Sequence, residues 1–335
     1  MMSKIGNSSF SVKIGSSIIS KIYIGSSLVY SAYVVGPFSA GANSANFNFC
    51  ADWDGQNGNI TTVGSNGGPS FYGTFDQSGN VYEWNDLNGP AGNSRGLRGG
   101  FWAFDAFSVS SSFRSTISPS NENNNIGFRL ASSFSSLNPL NLPYFALVGD
   151  INNSNDSSGY GGVSYEYLIA QYLVTNCEYA SFLNAVAATD SYNLYNASMN
   201  NARGGISRSG SSGSYSYSVK TNYGNKPVVF VSWFDCARYC NWLHNNKPSG
   251  GQDNTTTEDG AYTIPDGRTS GDAVAKNAGA KYHIPTENEW YKAAFYKGGS
   301  ANAGYWTYAT QSDTAPTCVA STASGDGPVT SNYSC

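Results

Sequence analysis

The 335-residue chain is predicted to fold as an α+β domain, and three observations carry that expectation. Three stretches in its second half open with reciprocal helix caps and continue with apolar residues at helical spacing. Elsewhere Gly, Asn and Ser break the chain every few residues, so strands must be short and irregular loops abundant. Charged residues make up 12% of the chain against a usual value of about 25%, while 24 Tyr and 38 Gly are present, the mixture of rigid rings and adaptable polar groups that binding loops favour.

The first 35 residues repeat Ile5-Gly6-Asn7-Ser8-Ser9, Ile14-Gly15-Ser16-Ser17 and Ile24-Gly25-Ser26-Ser27, which reads as short strands joined by Gly-Ser turns. Such a segment is too small for a core of its own and needs a partner surface: the main domain, on which it would pack as an ordinary terminal hairpin, another protein, or a second copy. Gly36-Pro37 marks a boundary near residue 40, giving a β-rich attachment segment over 1–40 and a domain over 41–335. The short run Gly159-Tyr160-Gly161-Gly162 reads as a turn.

The first helix starts where Thr175 and Glu178 can cap each other, with Tyr179, Phe182, Leu183 and Val186 on one face. Ser232 and Asp235 open the second, with Cys236, Tyr239, Cys240 and Leu243 aligned. Thr286 and Glu289 open the third, before Trp290, Ala293 and Ala294. The three carboxylates are therefore assigned to caps rather than to acid–base chemistry.

Net charge is −4, which leaves no electrostatic footprint for nucleic acid. With no apolar run of about 18 residues and no charged start leading into an apolar stretch, the chain is expected to be soluble, not exported by a leader, and not inserted in a membrane. The six cysteines lack a Cys-x-x-Cys pair and look too sparse for a disulfide framework; Cys236 and Cys240 are expected to be buried thiols. His244 and His283 are expected to be structural or surface groups. Phosphate-loop and His-Glu-x-x-His patterns do not occur in the sequence.

Several longer motifs agree with one family. Tyr165-Glu166-Tyr167-Leu168-Ile169, Pro227-Val228-Val229-Phe230-Val231-Ser232-Trp233 and His283-Ile284-Pro285-Thr286-Glu287-Asn288-Glu289-Trp290 resemble the amino-terminal half of the formylglycine-generating-enzyme, or sulfatase-modifying factor, family. Gly79-Asn80-Val81-Tyr82-Glu83-Trp84, Leu97-Arg98-Gly99-Gly100-Phe101-Trp102 and Ile126-Gly127-Phe128-Arg129-Leu130 resemble its carboxy-terminal half. The resemblance implies a C-type-lectin-like fold, circularly permuted, with the family's C-terminal half over 41–135 and its N-terminal half over 140–335. A swapped oligomer, in which halves pair between chains, fits the same order.

The resemblance also implies site residues. The family's copper-binding cysteines fall on Phe104 and Val109, neither of which can supply a thiolate, so the oxidase chemistry is not expected to carry over. Family calcium sites fall on Asp76 and Glu83 by side chain with Gly79 and Val81 by carbonyl, and on Asn46 and Phe47 with an acidic residue such as Asp54; Glu83 pairing locally without metal is the alternative. In phage and bacterial relatives the stretch after Gly100 is a displayed binding surface, which here implicates Trp102, Phe104, Asp105, Phe107, Ser108, Asn121 and Glu122. Core placement of Trp102 and Phe113 is an equal expectation. Lys21 to Tyr30 resembles short modules near the ends of tailed-phage virion proteins. Together these imply a non-enzymatic virion component that attaches through residues 1–40 to virion proteins or itself and meets a host surface protein or glycan. An enzyme with altered metal chemistry and a cytoplasmic interaction protein are the alternatives.

Overall fold

The computed structural model describes residues 40–87, 89, 91–133 and 145–333 in full and five short strands within residues 2–34 by their backbone. Of those strands, β1 (Met2–Ile5) pairs antiparallel with β2 (Ser9–Val12), and β3 (Lys21–Ile24) with β4 (Ser27–Ser31). The short strands expected within residues 1–35 are present, and the Gly-Ser stretches between them lie outside the described residues. Strand β5 (Tyr33–Val34) pairs with the main body, so the body's sheet reaches back past residue 40.

The main body is mixed α and β. It begins with β6 (Ser44–Ala45), followed by β7 (Tyr82–Asn85), β8 (Arg95–Arg98), β9 (Ser115–Ile117) and β10 (Ile126–Gly127). These last four form one sheet in the order β10-β7-β8-β9. A second sheet has the order β11-β13-β12-β5, built from β11 (Ala131–Ser133), β12 (Phe145–Val148) and β13 (Tyr167–Ala170) with β5.

Helix α1 (Asn176–Val186) starts at the Thr175/Glu178 capping box, followed by the hairpin β14 (Ile206–Ser209) and β15 (Ser216–Val219). Helices α2 (Trp233–His244) and α3 (Glu287–Phe295) start at the Ser232/Asp235 and Thr286/Glu289 boxes, and β16 (Thr317–Cys318) closes the body by pairing in parallel with β6. All three helix starts lie where the sequence places them, because a cap satisfies orphan backbone donors within one turn and needs no distant residue. The faces that turn inward are those of the apolar spacing, and Cys236 and Cys240 are buried free thiols on α2.

Residues before 134 and after 144 share one core, in which Trp84, Leu97 and Phe128 pack in the same cluster as Phe182, Trp233 and Leu243. Buried polar groups stitch the same seam. Arg98 reaches Glu287 on α3 at 2.7 Å, and Asp86 holds Arg95 at 2.8 Å while accepting from Trp233 Nε1 and Tyr262 Oη.

One expectation about cysteine is overturned. Cys50 and Cys318 form a disulfide across 268 residues of sequence, and Cys177 is disulfide-bonded as well. Spacing along the chain misled here because the β6–β16 pairing brings the two segments together.

Candidate functional site

The site begins at the end of β8. Gly99 and Gly100 have φ values of 90° and 67°, and a Cβ on Gly100 would lie 2.5 Å from the Ser108 carbonyl oxygen, so the chain can fold back here only with glycine. It enters a loop of aromatic residues. Phe101 and Phe104 lie 4.3 Å apart, Tyr82 packs on Phe101 at 5.2 Å, and Phe113 meets both Phe104 and Phe107 edge-on at 6.2 and 5.9 Å. Phe107 is 62% exposed, Phe104 37% and neighbouring Phe49 41%; these are three of the five large hydrophobic side chains left exposed among the described residues. Apolar exposure is concentrated, which marks an interaction surface more than scattered single side chains do.

A second segment stiffens this face. Asn48 donates its N–H to the Phe104 carbonyl at 2.7 Å and Phe49 donates to Trp102 at 2.8 Å. Both residues hold left-handed backbone, with φ of 51° and 62°, which asparagine adopts readily but which is uncommon for a bulky ring and stores about 1–3 kcal/mol at Phe49. The Cys50–Cys318 bond follows directly. Behind the face, the Arg203 guanidinium lies 4.3 Å over the Trp102 ring and bonds the Gly58 carbonyl through Nε.

The residues expected at this surface separate. Phe104, Asp105 and Phe107 are exposed as expected. Asp105 accepts the N–H and Oγ–H of Ser108 at 3.0 and 2.8 Å, bonds that hold its carboxyl below the usual range. Ser108 is itself buried, which corrects the expectation of exposure, because its backbone closes tightly against Gly100. Trp102 is core, 5% exposed, and not part of the displayed face. Asn121 is half-buried and bonds the Ser118 carbonyl. Glu122 turns to the Asn196 amide, and burial pushes its carboxyl up, with Asp190 adding to the shift. Val109, where the resemblance puts the second cysteine of the family's pair, is fully buried in a cluster with Phe47, Tyr308, Ala106 and Cys318. Sequence reasoning missed Phe49 and the disulfide: neither has a local signal, and both join the face through chain reversal.

The carboxylates at the expected calcium positions are engaged by the protein's own donors. Glu83 is fully buried, and its two oxygens accept Arg129 Nε at 2.6 Å, Arg129 Nη2 at 2.8 Å and Trp290 Nε1 at 2.9 Å. The charge facing Glu83 is thus the protein's own guanidinium, which repels calcium. Asp76 gives its oxygens to Asn66 Nδ2 and the Gly64 N–H, and the Gly79 N–H is committed to the Gly99 carbonyl. At the other position, the Phe47 carbonyl accepts from Cys50, and Asp54 is held by Asn59. Asn46 Oδ1 is buried without a partner, but among the described residues no three His, Cys, Asp or Glu cluster to hold a metal. The alternative reading of Glu83 as a locally paired carboxylate is the one the geometry follows.

The two histidines and the free thiols are held by internal contacts. His283 packs against Glu289 at 3.3 Å in the α3 cap, and His244 Nδ1 accepts the Lys281 N–H. Burial pushes the Cys236 and Cys240 thiols far above their ordinary value, as inert core thiols require. No helix among the described residues is long and apolar enough to cross a membrane.

A family model described as a sulfatase-modifying factor enzyme 1-like domain matches residues 30–134 and 162–331, most of the chain. No curated protein and no solved structure gives a significant match.

Proposed function

Because the chain belongs to the sulfatase-modifying factor enzyme 1-like family, we propose that it is a member that has exchanged oxidase chemistry for binding, and that it presents the Phe49/Phe104/Phe107 face to a partner. The observation that carries this reading is the replacement of the family's cysteine pair by an exposed ring, Phe104, and a buried valine, Val109. Rigid anchors held by strained backbone and a disulfide suit binding, since little conformational freedom is lost on contact.

The proposed setting is a virus particle, with residues 1–40 attaching the body to other virion proteins or to further copies, and the aromatic face directed to a host surface. The Cys50–Cys318 bond favours an oxidising or extracellular setting over the cytoplasm. The proposed fold is a circularly permuted C-type-lectin-like domain. In its favour, β11 and β13, which the resemblance assigns to the family's late and early halves, are antiparallel neighbours in one sheet, while β16 lies beside β6 where the ordinary order would continue.

The reading is tested by labelling purified particles with an antibody to the chain and by measuring host adsorption of a Phe49→Ser/Phe104→Ser/Phe107→Ser variant. Label on particles and lost adsorption support it; label confined to the soluble cell fraction, or undiminished adsorption, sinks it. An altered enzyme has one observation in its favour, the packing of Cys318 against Val109. Copper bound stoichiometrically by the reduced protein and abolished by Cys318→Ser would support that second reading.

A further inference from the structure

A cleft of about 450 Å³ opens behind the aromatic face, between residues 154–157 and 301–307. Ser111 joins the two places, since it lines the cleft and its N–H bonds the Thr307 carbonyl at 2.8 Å. Three rings line the cleft: Tyr296, Tyr305 and Trp306. Around them lie hydroxyls and amides from Ser111, Ser157, Thr307, Asn155 and Asn302.

The chemistry of the lining excludes most ligand classes. Asp156 is its acidic side chain, and both oxygens are spent, Oδ1 on the Ser158 N–H and Oγ–H with the Tyr160 N–H, and Oδ2 on the Tyr291 hydroxyl. A cation therefore finds no available carboxylate. An anion finds no available cation either, because the Lys297 ammonium lies 4.1 Å over the Trp306 ring and 3.3 Å from Asp313, while Arg98 and Arg114 are both bound to Glu287. A purely apolar ligand would bury the hydroxyls and amides without partners. What remains is an uncharged molecule with faces that stack on rings and an edge of hydroxyls.

The site is also built in advance. Tyr305 is fixed by its hydroxyl, which donates to the Ser154 carbonyl at 2.7 Å and accepts from Asn153 Nδ2 at 2.7 Å, and by Gly161, where a Cβ would lie 2.5 Å from that hydroxyl. Asn155 commits its carbonyl oxygen to the Gly162 N–H at 2.7 Å, leaving its NH2 for a ligand. Trp306 Nε1 is shielded from water with no hydrogen-bond acceptor among the described residues. A group closed to water is equally closed to a ligand hydroxyl, so the Trp306 ring offers the cleft a stacking face rather than a donor.

We infer that this cleft is a binding subsite for a neutral saccharide of one or two rings. The inference deepens the binding reading, naming one chemical class of host surface that the protein would contact, while using residues outside the Phe49/Phe104/Phe107 face.

The test is titration of the full chain, followed by protein-observed NMR, with a panel of neutral hexose and N-acetylhexosamine mono- and disaccharides and with an acidic sugar as control. At least one neutral sugar should bind saturably, with affinity falling about tenfold or more in Asn302→Ala and in Trp306→Ala, which removes the stacking ring. Melting curves identify any variant that fails to fold, and Asn302 is exposed, so its truncation should leave them unchanged. Phe107→Ser should keep sugar affinity while losing host adsorption, so failure of the sugar arm and failure of the aromatic-face reading are read separately. No binding of the panel at roughly 10 mM, binding of the acidic sugar alone, or binding lost in Phe107→Ser but kept in both cleft variants overturns the inference.

Discussion

At the scale of single side chains, Glu83 and Arg129 decide between a metal site and a structural pair. Both are fully buried, and breaking a buried pair leaves a lone charge in the core. Arg129→Met is expected to lower stability by about 3–5 kcal/mol in urea unfolding, and chelator is expected to leave the native protein's midpoint unchanged. A midpoint that falls on chelation would restore the calcium reading. Glu289 gives a second test. Burial alone would raise its carboxyl, yet the adjacent His283 ring, with Lys276 and the Thr286 N–H, holds it at about 2 against an ordinary 4.5. A lowered carboxyl contributes fully above pH 4.5 and loses that contribution as pH falls from 4.5 towards 2. Melting temperature should drop across that window, and Glu289→Gln should flatten the drop. Phe107, by contrast, is mostly solvent-facing, so Phe107→Ser should change stability by no more than about 0.5 kcal/mol.

At the scale of elements, the helices were legible in the sequence and the site was legible only in part. Thr175 and Glu178, or Thr286 and Glu289, satisfy one another within a single turn, so four residues carry the whole signal. The aromatic face is assembled from 101–113 and 48–50, and the sequence shows that 101–109 is rich in rings but not that Phe49 joins them. It also cannot show that Trp102 turns inward under Arg203, or that Ser108 closes against Gly100 and is buried. These outcomes depend on long-range contact, as does the disulfide. Replacing Cys50 and Cys318 by serine is expected to cost about 2–5 kcal/mol and to speed amide exchange at residues 47–50, since two left-handed residues lose their covalent clamp. Unchanged exchange there would mean that the hydrogen bonds to Trp102 and Phe104 hold the segment unaided.

At the scale of the whole molecule, the family was legible because its motifs are long and numerous, and the union of the two segments follows from buried contacts such as Arg98–Glu287 and the shared core around Trp84 and Trp233. If the order is a permutation, a gene that places residues 145–333 before 40–133 through a short linker should give a folded monomer with an intact Cys50–Cys318 bond. Aggregation, or folding only as a dimer, would favour exchange of halves between chains. The central claim is that this member of the family binds and does not oxidise. It is tested most directly by incubating the purified chain with copper, oxygen and a cysteine-containing sulfatase peptide and measuring the peptide by mass spectrometry. The account predicts that the cysteine survives as a thiol, because the proposed correspondence puts Phe104 and Val109 where thiolates would be needed; conversion of that cysteine to an aldehyde would contradict it.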